Sequence, residues 1–402
     1  MFHAVPRIAW AILCCLSSSE AYAQYEIGQQ QSLWLRALFD IRIARAGPAP
    51  SWTDSGPGKT RYGGRSTGSG FESATRFALS ELAIEVGASL PGDVRAQAQV
   101  NIQPDVADSY QPWLIEAILR KEWGDGSGGL GVQTGVMNVP FSLEHVGPAW
   151  SPEYTISASA LDSWLWEEMS LAGAESEWWR ATKSGIRLGA LLGAAFGSDQ
   201  LGKLLALRGW TLGDVLGGLN GNLPLPGRTD RIDIFSERDH RPAVYTWFTL
   251  SDEREIASLK AGFFDNRGDQ DKAGVWHTHF STVAVTLHPH PRVDLLAQYL
   301  NGVARVRSPA NDSALSVFYV LLSHHYKGQR VTFRYDSFRV HDLDGGPSSS
   351  ERGDAFTAAY LIQLGLRHRI AFEHIWASSH RLASPLLDPT RAGWQLSYRF
   401  RY

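Results

Sequence analysis

Gly393-Trp394-Gln395-Leu396-Ser397-Tyr398-Arg399-Phe400-Arg401-Tyr402 closes the chain, and its alternation decides the fold. Every even position is large and apolar or aromatic, and every odd one is small or polar. A period of two puts Trp394, Leu396, Tyr398, Phe400 and Tyr402 on one face of a β-strand. Strands that cross an outer membrane alternate in this way, apolar side to lipid and polar side to the lumen. An aromatic residue at the end of the last strand also suits recognition by the barrel assembly machinery.

The same two-residue period recurs upstream. Val94, Ala96, Ala98, Val100 and Ile102 alternate with Arg95, Gln97, Gln99, Asn101 and Gln103. Val331, Phe333 and Tyr335 alternate with Thr332, Arg334 and Asp336. Near the start, Leu33, Leu35, Ala37, Phe39, Ile41 and Ile43 oppose Arg36, Asp40 and Arg42, with Trp34 and Leu38 as exceptions. A two-sheet sandwich also alternates. Polar faces this rich in Arg and Gln, on strands of about ten residues, fit a wet lumen better. Residues 275–287 are ambiguous, with apolar and polar groups in both phases.

Turn signals set the strand number. Short turns fall at Leu90–Asp93, Gly124–Gly129, Thr182–Gly185, Ser251–Glu255, His288–Arg292, Tyr326–Gln329 and Gly365–His368. Longer polar or Gly-rich connections lie near 46–74, 103–112, 138–172, 197–242, 265–274, 303–313, 341–354 and 378–390. Alternating short and long links predict an all-β, transmembrane antiparallel β-barrel of about sixteen strands, within a range of 14–18. The count turns on a strand at 173–181. Barrels of this size enclose an aqueous channel, whereas eight strands fill with side chains.

Composition agrees. The chain has 39 Gly, for turns and close strand approach, and 15 Trp, for interfacial girdles. A net charge of −3 gives no footprint for nucleic acid. Arg7, the apolar stretch Ile8–Leu16 and the A-x-A at Ala21-Tyr22-Ala23 read as a signal peptide over 1–23, leaving a barrel over 24–402. Both cysteines, Cys14 and Cys15, fall inside that peptide, so the remainder has no disulfide and no thiolate metal site. The expected location is a Gram-negative outer membrane, with membrane lipid and lipopolysaccharide as neighbours.

The third long connection carries the functional expectation. Between Asn138 and Met169 there is no Lys or Arg, but there are Glu144, Glu153, Asp162, Glu167 and Glu168. A loop in this place is expected to fold inward and narrow the lumen, where fixed charges set selectivity. Arg36, Arg42, Arg95, Arg120 and Arg187 are expected to form a basic wall facing these acids across a transverse field. The alternative leaves the loop outside as a solvated acidic surface.

The strand Gly131-Val132-Gln133-Thr134-Gly135, running into Val139-Pro140-Phe141-Ser142-Leu143-Glu144, then Ser157–Trp164 with Glu167 and Glu168, and the terminal aromatic strand resemble the phosphate-selective porin O/P family. The likeness extends loosely over residues 75–402. It implies a sixteen-strand homotrimer and passive flow of small hydrophilic solutes. The family's phosphate specialists line this loop and pore with Arg and Lys, which the loop here lacks, so the resemblance is followed for fold and not for substrate.

Other motifs carry less. Gly64-Arg65-Ser66-Thr67-Gly68 fits G-x-S-x-G but lacks the flanking strand and helix of a nucleophile elbow. Gly58-Lys59-Thr60 lacks the first Gly of a phosphate loop. His277 with His279, and His324 with His325, read as interfacial or lumen histidines before they read as a metal site. Segment 200–222, rich in Leu and Trp, reads as loop packing before it reads as an amphipathic helix over the pore mouth. The chain is therefore read as a passive channel, not an enzyme, without a cofactor. The competing readings are an outer-membrane barrel hydrolase and an adhesin or receptor working through its loops.

Overall fold

A computed structural model describes residues 33–67, 70–103, 111–125, 127–307, 310–345, 350–381 and 391–402. The expected signal peptide and its cleavage site lie outside the described residues. Sixteen antiparallel strands close into one barrel. They are β1 (Leu33–Ala46), β2 (Ala74–Leu90), β3 (Val94–Ile102), β4 (Trp113–Asp125), β5 (Gly128–Asn138), β6 (Ser170–Ala181), β7 (Ile186–Phe196) and β8 (Ala243–Asp252), followed by β9 (Ala257–Asp265), β10 (His277–His290), β11 (Val293–Arg307), β12 (Ala310–Tyr326), β13 (Gln329–Asp342), β14 (Glu351–Leu364), β15 (His368–Arg381) and β16 (Arg391–Arg401). Each strand pairs with its chain neighbours, and β16 closes on β1 from Leu38↔Arg401 to Arg45↔Trp394. Closure leaves no free edge, which a strand in hydrocarbon requires. No helix among the described residues is long and apolar enough to cross a membrane.

The terminal alternation is the observed one. Gln395, Ser397 and Arg399 are buried inside the barrel, while Leu396 and Tyr402 are exposed on the outer face. The exposed outer residues include Phe77, Leu192, Phe248, Phe318, Val320, Phe333 and Phe356, a surface suited to lipid. Tyr335, Phe356 and Trp376 stand side by side across β13, β14 and β15, as one segment of an aromatic girdle. Removing Phe400–Tyr402 deletes the Phe400↔Phe39 and Arg401↔Leu38 pairs and the Tyr402 amide bond to Ala37. That truncation is expected to abolish the compact, heat-modifiable form on gel electrophoresis. A normal compact band would refute this role of the last three residues.

Two expectations need correction. The connection near 303–313 is not long: β11 and β12 stay paired out to Arg307↔Ala310. Its polar residues are strand residues whose charges pair outside the barrel, Arg305 with Asp312 at 3.6 Å and Arg307 with Asp271. The lumen is also not wet throughout. On β8–β13 the inward positions include Tyr245, Trp247, Phe264, Phe280, Leu296, Leu300, Leu315, Val317, Leu321 and Phe338, all buried in one apolar cluster with the connecting loops. Polar inward positions concentrate on β1–β3 and β13–β16, among them Asp40, Arg42, Gln99, Asn101, Arg334, Glu373 and Arg399.

Glycine makes room for this interior at one instructive place. A Cβ on Gly193 would lie 2.1 Å from the Tyr245 ring. Tyr245 lies across the paired Gly193 and donates to Glu175 at 2.9 Å, so the phenol is both packed and satisfied.

Candidate functional site: the inward loop and the charged vestibule

The loop over residues 139–169 lies inside the barrel. Phe141, fully buried, sits among Tyr245, Trp247 and Phe280 at centroid distances of 6.3, 5.0 and 5.7 Å. The loop then carries a nine-residue helix, α1 (Ala160–Glu168), whose N-cap Ser159 accepts the Asp162 amide at 3.1 Å. Trp164 packs edge-on against Trp210 and Phe280 at 5.7 and 5.5 Å. Apolar packing on one lumen wall thus brings the loop inward.

Polar groups on β13 and β15 hold it there. Arg334 on β13 is fully buried. It donates to Glu144 at 2.8 Å, to Asp336 at 2.9 Å and to the carbonyls of Ser157 and Ala158 at 2.7 and 2.9 Å. Glu373 on β15 accepts the amides of Ile156 and Ser157 at 2.7 and 3.1 Å. Asp336 accepts the Ala160 amide at 3.0 Å. Residues 156–160 are therefore anchored to two strands by charge-assisted bonds.

The five loop acids occupy different surroundings from those expected. Glu144 pairs with Arg334. Asp162 accepts from Tyr319 at 3.2 Å, and burial followed by the adjacent Glu144 carboxylate pushes its pKa well above the ordinary range. Glu167 pairs with Arg208 at 2.5 Å. Glu168 accepts the amides of Gly202 and Leu204, both at 3.1 Å, and burial raises its pKa to about 7. Only Glu153 keeps a substantially accessible carboxylate, 3.7 Å from Arg330. Four of the five are structural anchors because the loop that carries them packs into the wall.

The basic residues are likewise dispersed. Arg42 is buried between Asp40 at 3.0 Å and Asp214 at 2.5 Å. Arg36 lies over Trp34 at 4.4 Å. Arg120 pairs with Glu122 and Glu177 at 2.7 and 3.1 Å. Arg187 is 3.7 Å from Glu255 beside a short turn, and Arg95 is exposed near another. The structure does not bring these arginines together opposite the loop acids.

Opposed charge exists elsewhere, at the end of the lumen that carries the short turns. An open cavity of about 1160 Å³ there is lined by Arg36, Glu85, Gln97, Arg367, Arg401 and the 146–150 segment. The inward phases of β2, β4 and β6 place Glu85, Glu116, Glu122, Glu175 and Glu177 on one side. Those of β13, β15 and β16 place Arg330, Arg369, Arg399 and Arg401 on the other. Sequence reading missed this second set because alternation shows that a charge faces inward, not which height and neighbours the register gives it.

A second connecting segment also fills the lumen. Residues 197–242 include the short helix α2 (Lys203–Leu207), with Leu204, Leu205, Trp210 and Leu212 fully buried. This is loop packing. Asp214 in that segment joins Arg42 to Arg61, at 2.5 and 3.0 Å.

Ser66 lies in a three-residue strand of a small hairpin with Gly70–Glu72. His277 and His279 face outward, and His277 bonds Asp265 at 3.1 Å. Among the described residues, one carboxylate trio, Asp199, Glu237 and Asp239, is spaced closely enough to share a cation. Each already accepts backbone amides, such as Asp239 and Gly197 to Asp199 and Glu237 at 3.1 and 2.9 Å.

No protein-family model and no curated protein sequence matches the chain. Solved structures do. The anion-selective porin from Comamonas acidovorans is 11% identical, with a TM-score of 0.54 over 92% of this chain and 100% of that one. The outer membrane channel DcaP of Acinetobacter baumannii is 9% identical, with a TM-score of 0.58 over 94% of this chain and 100% of its own. The trimer form of OmpT, an outer membrane protein of Vibrio cholerae, is 8% identical, with a TM-score of 0.55 over 93% of this chain and all of its own. These likenesses are of fold: with its closed edges and apolar outer face, this chain is a transmembrane antiparallel β-barrel with the architecture of those solved structures.

Proposed function

We propose that the protein is a passive outer-membrane channel for small hydrophilic solutes, exported with cleavage before Gln24 and assembled as a homotrimer. The observation that carries the reading is the open cavity at the short-turn end of a lumen whose inward charges are mainly acidic on β2, β4 and β6 and basic on β13, β15 and β16. Charges so divided create a field across the path, which orients dipolar solutes and disfavours apolar ones. In a partly desolvated passage the field is weakly screened, since the Debye length is about 8 Å at physiological salt. Selectivity then belongs to the vestibule charges and Glu153, while the buried loop acids set how much of the lumen is open.

The test is planar-bilayer recording in a KCl gradient. The wild-type protein is expected to give ohmic steps. Replacing Glu85, Glu122, Glu175 and Glu177 by Gln should move the reversal potential toward anion preference. Neutralising Glu253 and Glu255, exposed near a short turn, should move it much less. Absence of steps from correctly folded barrels would overturn the channel reading, and equal shifts from both sets would remove the vestibule from it.

A further inference from the structure

Arg369 on β15 is a buried cation with no carboxylate in ion-pair contact among the described residues. Its direct cross-strand partner is another guanidinium, Arg399 on β16. Like charges directly opposite on a sheet destabilise it. Arg399 is compensated by Asp40, which accepts its Nε and Nη2 at 2.9 and 2.8 Å. Arg369 forms no ion pair among the described residues. Its Nη1 reaches the Pro152 carbonyl at 3.4 Å, and its Nε and Nη2 have no partner. Nη1 of Arg399 has none either. Buried polar groups almost always find partners, and a buried charge left alone is costly.

Arg369 and Arg399 line a pocket of about 330 Å³, together with Arg330, Arg401, Glu153 and His325 among others. It adjoins the larger vestibule, with which it shares Arg401 and Pro148. Arg330 is largely satisfied by Asp294 at 2.7 Å, which His288 and His325 also approach at 2.9 and 3.6 Å. Arg401 donates to the Leu366 carbonyl at 3.0 Å. Four guanidiniums therefore meet three carboxylates, Asp40, Asp294 and Glu153, and Arg369 contacts none of them.

We propose that this pocket binds an oxyanion group of a solute, a carboxylate or a phosphate, on Arg369 with Arg399 and Arg401. The unpartnered Nε and Nη2 of Arg369 give it the two-pronged edge that such groups accept. Glu153, at the pocket's accessible side, competes with the anion and weakens its binding. The proposal rests on the channel reading for how the solute arrives, but not for whether it binds.

The test titrates succinate and inorganic phosphate, in separate arms, into the purified full-length protein in detergent micelles at low salt, with chloride as reference. At least one should saturate at one site per chain. Arg369→Gln should weaken it roughly tenfold or more, as expected for loss of a charge-assisted bond pair. Glu153→Gln, at a half-exposed position, should strengthen it. The arm that saturates names the group, and saturation in both assigns the site to oxyanions generally. Failure of both arms, or wild-type binding by folded Arg369→Gln, overturns the site. Should Arg369→Gln not fold, unchanged or weaker binding by Glu153→Gln overturns it instead. Conductance of the same preparation is read separately: binding without conductance defeats only the channel reading, and conductance without binding defeats only this site.

Discussion

Replacing Arg334 by Met should open the lumen, raising single-channel conductance at least twofold and making it noisier, while the barrel itself stays folded. Arg334 joins β13 to the loop through a carboxylate, a hydroxyl and two carbonyls at once. Its loss leaves Glu144 and Asp336 as uncompensated carboxylates in a fully buried site. Breaking one partner out of such a cluster costs about 3–5 kcal/mol. The apolar contacts of Trp164 and Phe141 hold the rest of the loop against β8, β10 and Trp210, so the segment that moves is 155–160, with its Glu373 bonds. The triple variant Arg334→Met/Glu144→Gln/Asp336→Asn removes Arg334 together with the two carboxylates it contacts, leaves Glu373 on its amide bonds, and should recover much of the closed conductance. Equal conductance in wild type and Arg334→Met would show that 155–160 does not bound the open path.

The contrast between these anchors and the vestibule charges explains how much the sequence could tell. Strand number, short turns and the phase of β1, β3, β13 and β16 were legible because lipid on one side imposes a strict two-residue period. Leu38, an exception to that period, is explained by packing against Ala83 and Ala149, the latter from the inward loop. The span 303–313 was misread because charged residues above the lipid boundary resemble a loop in composition while their backbones stay paired. The acidity of the third loop was legible, but the burial of its carboxylates was not. Glu144 and Arg334 are 190 positions apart, and Glu167 meets Arg208 only because two loops enter the lumen together. The arginine pocket was hidden for a similar reason: Arg369 and Arg399 become neighbours through the β15–β16 register.

That register also makes Asp40 the most sensitive residue of the barrel seam. Asp40 on β1 accepts two bonds from Arg42, at 3.1 and 3.0 Å, two from Arg399 across the closure, and one from Ser397 at 2.8 Å. Asp40→Asn keeps the size of the side chain but removes the only carboxylate paired with Arg399 among the described residues. Arg42 retains Asp214, while Arg399 is left charged opposite Arg369. The expected loss is about 3–5 kcal/mol in urea unfolding followed by tryptophan fluorescence. A surface pair such as Arg65–Glu72, on the exposed hairpin, should be worth at most about 1 kcal/mol by the same measurement. Asp40→Asn/Arg399→Gln should regain a large part of the loss, because the second change removes the orphaned charge instead of adding a second injury. Additive destabilisation in that double variant would mean that Asp40 acts through packing and not through charge. An oxyanion in the neighbouring pocket supplies the missing negative charge, so the ligand that binds there should stabilise Asp40→Asn more than it stabilises the wild type. Equal stabilisation of the two would separate the seam from the pocket and confine Asp40 to closing the barrel.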